Sequence, residues 1–168
     1  MLDLLRKSAA RRDLGRTLDE AVTARARSPF LFARMGVPDT VDGRFDMVAL
    51  HAWLALALLT ARGENEAAQA LTDAVFVGFD EALREQGSGD MGMGRRMKAI
   101  ADAFYGRLAA YEAAADSEQL AQALARNVWR GAPVDDAARA LAAYVLQARA
   151  ALTATSPQAE GLDFGPLP

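Results

Sequence analysis

The sequence predicts an all-α, single-domain bundle of about six to eight helices with a short glycine-rich inter-helix loop. Three observations carry that prediction. Apolar residues recur at helical spacing along the chain, and no stretch alternates convincingly as a strand would. The composition is 52% hydrophobic but only 7% aromatic, rich in Ala and Leu, which favours helices over sheets. A length of 168 residues suits one domain with a sizeable core.

The first helix, or helix pair, is expected over about 3–27, with Leu4, Leu5, Leu14, Leu18 and Val22 as its apolar members. These first 27 residues are basic, with seven Lys/Arg against four acids. Ser28-Pro29 restarts the chain, Pro29 suits the first position of a short helix, and Phe30, Leu31 and Phe32 anchor it. The loop GVPDTVDGRF then feeds the most buried helix, about 44–61, which Arg62-Gly63 ends. Its uncharged run from Met47 to Ala61 is shorter than the roughly 18–20 residues that span a bilayer, so it reads as a core helix.

An acidic helix follows over about 64–86, with Leu71, Val75, Phe79 and Leu83 along one side. A basic helix after the glycine loop carries Met97, Ile100, Phe104, Leu108 and Tyr111 inward and ends near Ala115. Asp116-Ser117-Glu118-Gln119 reads as a capping box, opening a helix with Leu120, Leu124 and Val128 on one face. Gly131 and Pro133 stop it, and a last helix over about 134–152 carries Leu141, Tyr144, Val145 and Leu152. The domain is therefore expected over 1–152. The Pro- and Gly-rich tail, 153–168, is expected to be extended or disordered.

The stretch from Phe79 to Tyr111 is the least explained by folding alone. Gly87, Gly89, Gly92 and Gly94 weaken the chain unless the backbone needs positive φ or close approach there. Arg95, Arg96 and Lys98 open the next helix, where the macrodipole prefers anions. Seven acids face Arg84 alone over residues 64–90, whereas residues 95–107 carry four bases against Asp102. The basic cluster either pairs with Glu81, Glu85 or Asp90 or meets a partner. Met91 and Met93 either tuck into the core or form an adaptable apolar contact. Gly78 and Gly106 lie inside the flanking helices, so the two helix backbones are expected to approach closely there.

Chemistry is poorly provided for. Gly87-Ser88-Gly89-Asp90-Met91-Gly92 spells GxGxxG, but no strand precedes it and no βαβ unit surrounds it. There is no cysteine and His51 is the single histidine, so thiolate sites are excluded and no metal-ligand spacing exists. His51 is read as a core residue with a hydrogen-bonded partner, and no serine sits in a nucleophile elbow. No enzyme, cofactor or metal is expected. A net charge of −3 argues against a generic nucleic-acid binder, and no DNA partner is expected.

The run REQGSGDMGMGRRMKAIADAFYGRLAAY, with GVPDTVDGRFDMVALHAWL upstream and RNVWRG downstream, resembles the ubiquinol–cytochrome c chaperone family. The resemblance covers roughly residues 20–150, most of the chain. It implies an all-helical, non-enzymatic assembly factor for the cytochrome bc1 complex that binds newly made cytochrome b. The chain resembles a compact bacterial member, cytoplasmic or peripheral at the inner membrane. The small partner protein and ribosome contact of mitochondrial relatives are open for it. Residues expected at the client or partner surface are Phe30, Phe32, Asp90, Met91, Met93, Arg95, Arg96, Lys98 and Trp129. Two other readings stand beside this one. One is a ribosome- or RNA-associated adaptor acting through the basic segments; the other is a small-ligand-binding helical protein.

Overall fold

The computed structural model describes residues 2–85, 87, 92–155 and 161–168, and among them every regular element is a helix. Seven helices follow in order: α1 (Leu2–Ala26), α2 (Pro29–Ala33), α3 (Val41–Ala61), α4 (Asn65–Glu85), α5 (Met93–Glu112), α6 (Ser117–Val128) and α7 (Asp136–Ala154). The segment expected as a helix or helix pair is one continuous helix of 25 residues.

Helix α3 is the hub: it packs against α1, α4, α5, α6 and α7. Its composition and length would let it cross a membrane, yet twelve of its residues, from Gly43 to Leu59, are buried in the bundle. Thr40 caps it, accepting a hydrogen bond from the Gly43 backbone N–H at 3.0 Å. The capping box at α6 forms as expected on one side, with Asp116 accepting from the Gln119 N–H at 2.8 Å. The Gln119 side chain reaches back one residue further, to the Ala115 N–H at 3.1 Å. Asp135 starts α7 in the same way, accepting from Ala138 N–H at 2.9 Å.

Helix α4 packs chiefly along α1, not along α5. Gly15 makes that seam possible: a Cβ there would lie 2.4 Å from the Ala70 carbonyl oxygen, closer than any side chain tolerates. Arg11 and Asp73 tie the seam's outer edge with a 2.6 Å ion pair. The expected close approach at Gly78 and Gly106 is absent. A Cβ at either would meet nothing within 4 Å. The α4–α5 contact is held instead by rings, with Phe76 and Phe79 set edge-on to Phe104 at 5.4 and 5.9 Å between centroids. Rings of that size keep the two backbones apart.

The expectation of positive φ in the glycine loop holds at Gly87 (78°) and Gly92 (102°), where left-handed backbone ends α4 and starts α5. Residues 162–168 form no regular element, and they do not stand apart from the domain. Phe164 is buried, with its ring edge-on to His51 at 5.5 Å. Arg25 clamps the same segment by donating to the Phe164 and Pro166 carbonyls at 3.4 and 3.2 Å.

His51 has the core role expected of it. Its Nδ1 lies 2.7 Å from the Met47 carbonyl, which can only accept, so Nδ1 carries the proton. Nε2 therefore accepts from the Tyr144 hydroxyl at 2.7 Å, and Tyr144 accepts in turn from Arg25 Nε at 2.8 Å. Burial, aided by Arg25, pulls the imidazole pKa down to about 4, so His51 is neutral at physiological pH.

Candidate functional site

On the other side of α3 the helices do not close. An open cleft of about 1020 Å³ runs between α1 and α4 on one side and α5, the end of α6 and the first turns of α3 on the other. Its apolar lining comes from Val41, Phe45 and Val48 of α3, Val75, Phe79 and Leu83 of α4, and Ile100 of α5. Val41, at the start of α3, is 67% exposed. The glycine at 78 belongs to this lining, where the lack of a side chain leaves space.

A buried charged node stands behind the α5–α6 wall. Asp46 is fully buried, and Arg107, 15% exposed, donates to it from Nε at 2.6 Å. An Arg130 guanidinium nitrogen lies 3.0 Å from the other Asp46 oxygen, an ionic contact not aligned as a hydrogen bond. Burial pushes the Asp46 carboxyl pKa up, and Arg107 and then Arg130 pull it back. Arg107 also lies over the Phe45 ring at 4.9 Å, so one side chain joins the node to the apolar lining. Arg130 takes a left-handed backbone, φ 54°, just past the end of α6. The buried Tyr111 hydroxyl is without a hydrogen-bond partner among the described residues, and burial drives its pKa upward.

Charge is divided between the walls. Asp19, Glu81 and Glu85 line the α1–α4 wall with Arg27, while Arg44, Arg107, Arg126 and Arg130 line the opposite one with Asp42. Most of these arginines are already engaged: Arg44 with Asp39 at 2.8 Å, Arg107 with Asp46, and Arg130 with Asp42 and Asp46. Among the described residues Arg126, Glu81 and Glu85 form no ion pair.

The residues singled out from the sequence fall mostly outside this cleft. Asp90 and Met91 lie outside the described residues. Met93 is buried in the first turn of α5, the inward one of the two placements open to it. Phe30 and Phe32 are half-buried and packed on the core, so neither offers a whole face to a client. Trp129 is half-buried too, and its indole N–H donates to the Gly36 carbonyl at 3.0 Å, pinning the end of α6 to the loop before α3. Arg95, Arg96 and Lys98 are exposed on α5. Lys98 pairs within its own helix to Asp102 at 2.7 Å, neither across to Glu81 nor to Glu85.

The cleft is not legible in the sequence, because its apolar residues obey the same helical spacing as the core. Phe79, Leu83 and Ile100 look like core positions, and only the splay of α5 from α4 exposes them to a shared cavity. A signal did exist in Gly78, whose conformational cost asks for a reason. The reason is open space instead of close contact.

The comparisons with known proteins agree with this architecture. Residues 33–159 match the family described as Ubiquinol-cytochrome C chaperone. The crystal structure of the Cbp3 homolog from Brucella abortus superposes with a TM-score of 0.80 at 38% sequence identity, over 94% of this chain and 90% of that one. A search of the curated proteins gives no match. With the match spanning all of α3 through α7 and the homolog superposing over nearly the whole bundle, the chain belongs to the ubiquinol–cytochrome c chaperone family.

Proposed function

We propose that this chain is an assembly chaperone of the cytochrome bc1 complex that holds newly made cytochrome b in the cleft between α4 and α5. The observation that carries this reading is the cleft itself: apolar side chains left accessible, next to a solidly packed core, in a member of this family. A chaperone for a membrane-destined chain must cover apolar segments until their partners arrive, without collapsing on itself. A cleft propped open by rings and by a buried ionic node meets both demands. Arg95 and Arg96, exposed at the start of α5, and Asp90 and Met91 beside them in sequence, are proposed as a second contact for the same client.

The test is photocrosslinking in cells from Val41 at the cleft mouth, compared with Leu146, an exposed position on α7 outside the cleft. Cytochrome b is expected among the adducts from position 41 and not from position 146. Its absence from position 41 would remove the assignment of the cleft.

A further inference from the structure

The same cleft specifies more than apolarity. Three exposed ion pairs of this region close within a helix or a short loop, Arg84–Asp80 at 2.7 Å, Lys98–Asp102 at 2.7 Å and Arg44–Asp39 at 2.8 Å, and a fourth, Arg130–Asp42 at 3.5 Å, joins two residues of the same wall. None bridges the cleft. Glu81 and Glu85 on the α4 wall, and Arg126 on the α6 wall, are left with opposite charge on opposite sides of an apolar floor. Asp19 adds to the acidic wall. Burial raises its carboxyl pKa, and nearby Glu20 and Glu81 push the same way against Thr23 and Arg27. The acidic wall therefore gains from a cation brought by an occupant, and the basic wall from an anion.

Dimensions narrow the occupant's shape. A helix with side chains is about 10–12 Å across, and two to three turns of it rise roughly 11–16 Å. A cleft of about 1020 Å³ takes one apolar face of such a segment and leaves its two polar edges at the rims.

Resting on the reading of the cleft as the client seat, we propose that its occupant is a single amphipathic helical segment of a protein. That segment is apolar on the buried face, basic along the edge toward Glu81 and Glu85, and acidic along the edge toward Arg126. The two walls thereby set the direction in which the segment lies, because turning it end for end would exchange its edges. Rim charges act mainly on specificity and association, so the preference should weaken as salt is added.

The experiment uses the full chain and four labelled synthetic helical peptides with one common apolar face. Their edges are basic on one side and acidic on the other, basic on both, acidic on both, or neutral. Fluorescence anisotropy should show the two-sign peptide binding about tenfold more tightly than the others at low salt. Glu81→Lys with Glu85→Lys, both exposed positions, should remove that advantage and favour the all-acidic peptide, with the melting temperature checked to be unchanged. Equal binding of all four, no binding of any, or indifference to the double substitution would overturn the proposal. These outcomes are independent of the crosslinking to cytochrome b, so the client's identity and the cleft's charge reading can fail separately.

Discussion

The seam between α1 and α4 and the cleft between α4 and α5 share one helix, and each has a glycine in a helix interior. At Gly15 the missing Cβ lets α1 settle onto the backbone of Ala70. At Gly78 the missing Cβ leaves a cavity wall bare. Identical residues at similar local cost thus serve opposite ends: one closes an interface and the other keeps one open. Helix α3 divides along the same line. On its closed side His51 is buried neutral beneath Tyr144 and Phe164, and on its open side Asp46 is buried between arginines. The neutral residue suits a wall that never opens, whereas the ion pair reaches from the core to the cleft lining through Arg107.

The largest test of that division is Arg107→Met, which keeps an apolar stem but takes the guanidinium away from both Phe45 and Asp46. Unfolding free energy should fall by about 3–5 kcal/mol, since the carboxylate stays buried with only the offset Arg130 contact. Adding Asp46→Leu should recover much of that loss in denaturant titration. If the double variant is no better than the single, the node is not what props the open side.

The closed side answers to pH. Because the folded His51 pKa of about 4 lies below its ordinary 6.5, the unfolded chain takes up the proton first. The stabilisation is complete above pH 6.5 and is lost as pH falls from 6.5 toward 4, amounting to roughly 3 kcal/mol. Melting curves collected across that interval should show the decline, and His51→Gln should flatten it. A wild-type curve level down to pH 4 would contradict the neutral, buried imidazole.

The two glycines supply the smaller tests. Gly15→Ala should destabilise by about 1–2 kcal/mol, because the seam must part to admit a methyl group against the Ala70 backbone. Gly78→Ala should do the reverse, raising stability by about 1 kcal/mol and the melting temperature by roughly 2–4 °C through helix propensity alone. Equal signs for the pair would erase the contrast between seam and cleft. The bulkier Gly78→Leu should leave the fold intact and reduce crosslinking of client from position 41, since its side chain enters the space a client would occupy.

Much of this architecture was legible from residue spacing. The number of helices, the buried α3, the cap at Asp116, the core role of His51 and the left-handed loop glycines follow from period, capping chemistry and backbone sterics, all local in the chain. The family resemblance was legible too, from motifs spread across the chain. The candidate site was not. Phe79 and Ile100 carry the same pattern whether a neighbouring helix covers them or stands away, and the pairing of Asp46 with Arg107 joins residues sixty-one positions apart. The tail shows the same limit, since Pro and Gly forbid a helix there but cannot say that Phe164 returns to His51.

Hydrophobic period and capping act within a few residues, so the helical segments and their ends are written locally in the chain. That α4 gives its close contact to α1 and its aromatic rings to α5 follows only from how the helices pack. Burial is a property of what stands opposite a side chain, and no local pattern contains that. The glycine-rich segment that stood out in the sequence therefore marks the join of two helices. The cleft those helices leave between them supplies the proposed binding surface.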